Sequence, residues 1–184
     1  MKKFILASSS PRRSELLQLL DIEFIRDPSD TEEIIDESIS SIELVQNLAL
    51  QKAQDVSLRH PGMYVLGFDT LVILDGKPLG KPKSKEDAFR MLSLLSDRKH
   101  MVATGCAIVK DDSYEIFYDY AEVIFNPMSE DEINEYISSN EPMDKAGAYG
   151  IQGLGAKYIK YIKGDYYSVM GLPFQKLYNK LKGL

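Results

Sequence analysis

Two adjacent arginines follow a short apolar run and three serines near the start of the chain. Residues 4–7 read Phe-Ile-Leu-Ala, and Ser10 and Pro11 precede Arg12 and Arg13. This order predicts a strand leading into a helix that Ser10 caps, with Pro11 at the first helical position. Cations at that end of a helix are disfavoured by about 0.5 kcal/mol. The arginines, which we expect to be exposed, therefore lie either in a solvated first turn or at an anion site. In an anion site, backbone N–H groups, serine hydroxyls and guanidinium groups converge on a phosphate.

Asp69 interrupts an apolar run, residues 64–74, that otherwise reads as a buried strand. A buried carboxylate without a partner is costly, so Asp69 needs a lysine, a metal or a catalytic task. The alternative is a carboxylate at a strand break, which Gly67 would permit, held by backbone donors. Strand alternation places Phe68 and Thr70 on the face opposite Asp69.

Two lysines are candidate partners for this carboxylate. Lys52 falls within the apolar stripe of a predicted helix, so its ammonium group either reaches out to solvent or faces a pocket. Lys81 precedes Pro82, which forces an extended backbone. A predicted two-residue hairpin turn, Leu-Asp-Gly-Lys at 74–77, would bring Lys81 back toward Asp69.

An acidic stretch, residues 27–37, contains six carboxylates. A solvated loop is the usual structure of such a stretch. One of the six, of which Glu33 is the best placed, is a candidate for holding a divalent cation, because Mg²⁺ often needs only one or two carboxylates plus substrate phosphates.

Four glycines lie close together at 147, 150, 153 and 155. Their spacing matches neither a dinucleotide-binding fingerprint nor a P-loop. It indicates a backbone pressed against a neighbour, and Gln152 among them has an amide that could read the edge of a base.

The elements that must position these residues alternate along the chain. Strand patterns cover 4–8, 23–27, 64–74, 100–110, 114–126, 157–163 and 167–170. Helix patterns cover 11–20, 42–59 and 173–182, and patterns resembling capping boxes at Ser84 and Ser129 begin two more. Interleaved helices and strands with hairpins predict an α/β fold, a mixed twisted sheet flanked by helices.

Composition narrows the class of protein. The 184 residues are 44% hydrophobic and 27% charged, which is typical of one globular domain or of one domain with a lobe. A net charge of -6 disfavours nucleic acid as a partner. No apolar run approaches the roughly 20 residues of a membrane span, and residues 4–7 are too short for a secretory core, so we expect a cytoplasmic protein. The sequence has only one cysteine and two histidines, which argues against a zinc cluster and against a histidine-based catalytic triad.

Five short segments follow one another along the chain: Ser-Ser-Ser-Pro-Arg-Arg at 8–13, Gln-Lys-Ala at 51–53, Gly-Phe-Asp-Thr at 67–70, Gly-Lys-Pro at 80–82, and residues 144–153. In this order they resemble the Maf family of nucleoside triphosphate pyrophosphatases, also called septum-formation-inhibitor-like proteins. The resemblance covers nearly the whole chain, 1–184, as a single domain. One departure is Phe68, where the family commonly has a small residue.

The resemblance implies an inosine-triphosphatase-like fold with two lobes around a cleft. It also implies hydrolysis of dTTP and UTP, with modified pyrimidine nucleotides as further substrates, to the monophosphate and pyrophosphate with Mg²⁺ or Mn²⁺. Asp69 would be the general base, and Glu33 and Asp69 would hold the metal. The specificity positions would be Arg12, Thr70 and Gln152, and the supporting residues Ser8, Arg13, Glu33, Lys52 and Lys81.

Two other classes of function compete with this enzyme. A non-catalytic nucleotide-binding regulator of cell division would use the same pocket as a sensor. Asp69 beside the basic residues favours catalysis, because a phosphate binder gains nothing from a nearby carboxylate. A nucleic-acid-binding module is disfavoured by the charge. A homodimer is also considered, although no residue pattern argues for it.

Overall fold

A computed structural model describes residues 3–36 and 38–184, so Glu37 at the end of the acidic stretch lies outside the described residues. Within these two ranges the chain forms seven strands and six α-helices. The strands are β1 Lys3–Ala7, β2 Glu23–Arg26, β3 Tyr64–Leu74, β4 Lys77–Leu79, β5 Lys99–Lys110, β6 Ser113–Phe125 and β7 Ile159–Gly164. The helices are α1 Pro11–Gln18, α2 Ser41–Ser57, α3 Lys85–Leu95, α4 Glu130–Ser138, α5 Tyr166–Met170 and α6 Phe174–Lys182. Short 3-10 helices cover Glu141–Asp144, Ala146–Ala148 and Leu154–Tyr158.

All seven strands of the described residues belong to one mixed sheet, as the alternation of elements predicts. The order is β2-β1-β3-β5-β6-β7, and β4 pairs with β3 outside this path. Strand β1 is parallel to both β2 and β3, whereas β4 is antiparallel to β3 and β7 is antiparallel to β6. The predicted hairpin turn joins β3 to β4, with Asp75 and Gly76 both at positive φ.

The register of β1 determines which residues meet near the end of this strand. Ala7 is paired with Gly67, and Leu6 is paired with Arg26 at the end of β2. Because parallel strands bring their carboxyl ends to the same edge, the turn after β1 begins beside β3, and the segment after β2 begins beside the end of β1. Asp69 lies two residues beyond Gly67 on β3.

Two compact units divide the described part of the chain. The first contains the residues up to Thr70, Thr104–Asp119 and Gly171–Leu184. Its core includes Ile5 of β1, Ala53 of α2 and Val109 of β5. The second contains Leu71–Ala103 and Tyr120–Met170. Its core includes Leu92 of α3, Phe125 of β6 and Ile133 of α4.

Local side chains explain where most helices begin. Ser40 and Ser129 each form a complete capping box with the glutamate three residues later, as predicted at Ser129. At Ser84 only half of the predicted box forms. The Ser84 hydroxyl accepts from the Asp87 backbone N–H, but the shorter Asp87 side chain accepts instead from the N–H of Lys83.

The predicted strand over 167–170 is wrong, because this segment is helix α5. The Asp165 carboxylate accepts hydrogen bonds from the backbone N–H groups of Tyr167, at 3.3 Å, and Ser168, at 2.9 Å. This side-chain cap satisfies donors that a helix start leaves unpaired, so it stabilises a single helical turn against the strand preference of its tyrosines. No helix among the described residues is both long and apolar enough to span a bilayer.

Candidate active site

Lys52 joins two carboxylates that are 36 residues apart in sequence. Its ammonium group on α2 contacts Asp69 Oδ1 on β3 and lies 2.8 Å from Glu33 Oε1 in the loop before α2. The side chains of Lys52 and Asp69 are only 18% and 12% exposed, whereas that of Glu33 is 45% exposed. Lys52 therefore faces a site rather than solvent, and Asp69 has the lysine partner that its burial requires.

Gly67 explains how α2 comes close enough for this contact. A β-carbon on Gly67 would meet the backbone carbonyl oxygen of Ala49 and would lie 2.8 Å from the β-carbon of Ala53. The glycine does not break the strand, since β3 runs continuously through Asp69. Its role is close approach of helix and strand, and the alternative of a carboxylate at a strand break is wrong.

Burial is the main electrostatic influence on Asp69. It raises the pKa of this carboxyl group above its ordinary value, while the charge and hydrogen bond of Lys52 act in the opposite direction. A carboxylate whose pKa is raised is a stronger base, which suits proton abstraction from water at neutral pH.

The side chain of Arg13 links three segments of the first unit by hydrogen bonds. It is half-buried, contrary to the expectation that it is exposed. Its Nε donates to the carbonyl of Gly171 at 2.8 Å, Nη1 donates to the Ser8 hydroxyl at 3.1 Å, and Nη2 donates to the Thr70 hydroxyl at 3.1 Å. Burial lowers the pKa of its guanidinium group, although the Asp69 charge opposes this. These contacts tie helix α1 to β3 and to the segment that precedes α6.

Arg12 and the turn before it differ from Arg13. Arg12 is half-buried as well, so the expected exposure is wrong for both arginines, but within residues 3–36 and 38–184 its guanidinium group makes no hydrogen bond or ion pair. The turn itself is held in place, because Arg26 donates to the Ser9 carbonyl at 2.8 Å and the Ser8 hydroxyl accepts from the Ser10 N–H at 3.2 Å. Ser10 is the N-cap residue of α1, but its side chain makes no capping hydrogen bond.

Strand alternation around Asp69 is as predicted. Phe68 and Thr70 both contact Arg13, which lies 5.8 Å from the centre of the Phe68 ring, while Asp69 contacts Lys52. The Thr70 hydroxyl also shares a hydrogen bond of 2.8 Å with that of Thr104. Phe68 is fully buried, so its ring is part of the packing behind the strand.

The other two predicted site residues, Lys81 and Gln152, belong to the second unit and are exposed. The contacts described above all lie within the first unit. That Lys81 approaches Asp69 remains a prediction.

The glycine-rich segment is pressed against Glu141, a residue that the sequence analysis did not single out. The Glu141 carboxylate accepts from the N–H groups of Leu154 at 2.8 Å and Gly155 at 3.1 Å, and from the Tyr136 hydroxyl at 2.8 Å. A β-carbon on Gly153 would collide with this carboxylate. The clustered glycines were the available signal for such a neighbour, but they did not identify it. The segment that carries Gln152 is thus shaped by internal contacts.

The donor set at Lys52 fits a divalent cation. Among the described residues no three His, Cys, Asp or Glu side chains cluster as a complete metal site. Glu33 and Asp69 nevertheless converge on one positive charge, the ammonium group of Lys52. Two carboxylates are enough for Mg²⁺ or Mn²⁺ when phosphate oxygens and water supply the other ligands.

Comparisons with known proteins show to which family this chain is related. The family model described as Maf-like protein matches residues 3–184. A dTTP/UTP pyrophosphatase of Bacillus mycoides is 48% identical over 182 residues, which cover 99% of this chain and 95% of the relative. One of Bacillus velezensis is 52% identical over 181 residues, which cover 98% and 96%.

Solved structures of Ham1 proteins share the fold. The Staphylococcus aureus protein has a TM-score of 0.57 at 17% identity, with 99% of each chain covered. The Coxiella burnetii protein has a TM-score of 0.55 at 20% identity, with 100% of each chain covered. The mixed α/β fold predicted from the sequence is thereby confirmed.

Proposed function

Because this chain belongs to the Maf family, we propose that it is a nucleoside triphosphate pyrophosphatase acting on dTTP and UTP. The relatives that are about half identical over its whole length carry that name. The observation that carries the proposal is the Lys52 contact with Glu33 and Asp69, in the unit that also contains the serine-arginine turn. It combines carboxylates, a lysine and anion-binding groups, which hydrolysis of a phosphoanhydride requires.

Asp69 is the proposed general base. Water attacks a phosphorus atom of the α–β anhydride, the bond from that phosphorus to the bridging oxygen breaks, and Asp69 takes the proton from water. The products are the nucleoside monophosphate and pyrophosphate. Lys52 orients the carboxylate and offsets negative charge near the phosphates.

Glu33 and Asp69 would hold the divalent cation, either Mg²⁺ or Mn²⁺. When bound, such a cation supplies positive charge to the phosphate oxygens and stabilises the charge that develops during displacement. The Ser8 and Ser10 turn and Arg12 would bind the phosphates, and Lys81 is proposed as a further supporting residue.

Base selection is proposed for Arg12, Thr70 and Gln152. The Thr70 hydroxyl is already engaged by Arg13 and Thr104. We therefore propose that Thr70 influences specificity through the position of Arg13, and that the exposed amide of Gln152 contacts the base. Residues 1–184 would act as one catalytic domain in the cytoplasm, without nucleic acid or a membrane as partner, and a homodimer remains a prediction.

A triphosphate panel with Asp69→Asn tests the activity. The purified protein is incubated with dTTP, UTP, CTP and purine triphosphates and with Mg²⁺ or Mn²⁺, and pyrophosphate and orthophosphate are measured separately. Pyrophosphate without orthophosphate is expected from dTTP and UTP. Asp69→Asn should retain nucleotide binding and lower kcat by about 100-fold or more, since the amide cannot accept the proton.

The same panel distinguishes the non-catalytic alternative. Nucleotide binding by the wild-type protein with no product from any triphosphate would support the regulator of cell division. Wild-type activity in Asp69→Asn would instead assign the base to another carboxylate, beginning with Glu33.

A further inference from the structure

Glu33 lies in a segment without regular secondary structure. Between β2 and α2, residues 27–36 form neither helix nor strand, and the Glu33 side chain is 45% exposed. A carboxylate on such a segment loses conformational freedom when it is held beside Lys52 and Asp69. Some contact must therefore restrain the backbone next to Glu33.

Gln51 restrains this backbone through both the oxygen and the nitrogen of its side-chain amide. Its Oε1 accepts from the backbone N–H of Ile34 at 2.9 Å, and its Nε2 donates to the backbone carbonyl of Ile34 at 3.0 Å. One side chain thus satisfies both backbone polar groups of one residue, as a paired strand would. This fixes the backbone orientation of Ile34 and hence of the peptide that joins it to Glu33.

The other described hydrogen bonds from residues 27–36 to other elements lie near the beginning of this segment. Ser29 donates to Asp55 at 2.8 Å, and Asp27 is bonded to Arg59 and His60. Among the described hydrogen bonds of residues 30–36, only those of Gln51 connect the backbone to another element.

Gln51 and Lys52 hold consecutive residues of the loop. Lys52 contacts the Glu33 carboxylate, and Gln51 binds the backbone of Ile34. We propose that Gln51 is a positioning residue, which sets the place of the Glu33 carboxylate relative to Lys52 and Asp69. This inference rests on the proposed function of Glu33 as a ligand of the divalent cation.

Gln51→Met tests the positioning role, with Gln54→Met as the matched control. Methionine has a similar length but neither donor nor acceptor, and Gln54 is exposed on the same helix without a described side-chain contact. Loss of the amide should make hydrogen exchange at the Ile34 N–H about tenfold faster. It should also lower kcat/KM for dTTP between about 10- and 100-fold and raise the half-saturating Mg²⁺ concentration, whereas Gln54→Met should change none of these.

Gln51→Asn guards against a general folding defect. It keeps the amide but is one methylene shorter, so it cannot reach both groups of Ile34 and should reproduce the faster exchange and lower kcat/KM. Unchanged exchange at Ile34 in both Gln51 variants, or an unchanged Mg²⁺ dependence, would overturn the inference.

A double variant with Glu33→Gln separates this inference from the proposed function. If Gln51 acts through Glu33, the combined variant should be no less active than Glu33→Gln alone. Additive losses would overturn the positioning role while leaving the role of Glu33 intact. Full activity of Glu33→Gln would instead reject Glu33 as a metal ligand, and the exchange measurement would still report whether Gln51 holds the loop.

Discussion

The neighbouring residues Arg12 and Arg13 have different roles because their surroundings differ. Arg13 donates to three oxygens of the first unit, whereas Arg12 has no described hydrogen bond or ion pair and is the residue that we propose to bind phosphate. Two cations at the start of α1 are unfavourably placed. The hydrogen bonds of Arg13 within the unit explain its position, and we propose that a bound triphosphate explains the position of Arg12.

Alanine variants should separate these roles. Arg13→Ala removes three hydrogen bonds, to Gly171, Ser8 and Thr70, and should reduce the free energy of unfolding by about 2 kcal/mol. Arg12→Ala should change it by less than about 0.5 kcal/mol while lowering kcat/KM by about 10- to 100-fold. Urea denaturation and steady-state kinetics measure the two effects. Equal unfolding free energies of the two variants would contradict the structural role of Arg13. Unchanged kcat/KM in Arg12→Ala would contradict phosphate binding by Arg12.

Base selectivity should depend on Gln152. Uracil and thymine present an N3–H donor between two carbonyl acceptors, and a glutamine amide held in one orientation matches half of that edge. Cytosine, whose N3 is an acceptor, would leave polar groups unpaired. Gln152→Leu should therefore narrow the ratio of kcat/KM for UTP over CTP more than it lowers turnover of UTP. Proportional loss for every substrate would mean that the residue only braces its loop.

At the scale of elements, the packing of α2 on β3 forms the centre of the site. The helix carries Lys52 and Gln51, the strand carries Asp69, and Gly67 allows the two to approach. A shift of the helix would therefore alter several contacts of the site together.

Gly67→Ala should reveal this dependence. The added methyl group meets the Ala49 carbonyl and the Ala53 side chain, so α2 must move, and the free energy of unfolding should fall by about 1–3 kcal/mol. The displaced Lys52 should also lower kcat at temperatures where the protein is still folded. Gly80→Ala is the control for stability, since a β-carbon there meets nothing within 4 Å. Equal unfolding free energies and equal kcat in the two variants would argue against close packing at Gly67.

The sequence predicts elements well where one pattern dominates. The apolar run over Tyr64–Leu74 specifies β3 to its observed bounds, and the box at Ser129 specifies the start of α4. Helix α5 was not predictable from propensity, because two tyrosines and a valine favour a strand and the deciding contact is the cap from Asp165. The signal that could have identified it is Asp165, an N-cap residue type directly before the segment.

The sequence indicates which residue types could form the site, but it does not identify their hydrogen-bond partners. A carboxylate in an apolar strand and a lysine in an apolar stripe left several partners open for each side chain, and the structure pairs Lys52 with Asp69. Neither the Arg13 contact with Gly171, 158 residues away, nor the amide of Gln51 on Ile34 follows from periodicity. Such contacts depend on tertiary placement, which short patterns do not encode.

At the scale of the whole molecule, acid should weaken the second unit through a buried histidine. His100 is 3% exposed, its Nε2 lies 2.7 Å from the Tyr149 hydroxyl, and its Nδ1 has no described hydrogen-bond partner. The ring packs edge-on against Phe125, with ring centres 5.1 Å apart. Burial lowers the pKa of His100 from 6.5 to about 4, so the folded protein keeps it neutral.

The pH dependence of stability follows from this shift. Between pH values of about 6.5 and 4 the unfolded chain binds the proton and the folded chain does not, so the free energy of unfolding decreases as the pH falls through this window. Below about 4 both states are protonated and the contribution becomes constant; across the window it amounts to about 3 kcal/mol.

Carboxylates add their own pH dependence to the free energy of unfolding, which a comparison of wild-type protein with His100→Gln cancels. Urea denaturation at pH steps across the window should give a steeper decline for the wild-type protein than for the variant. Parallel curves would mean that His100 becomes protonated without unfolding, and that the ring reaches water more readily than its 3% exposure indicates.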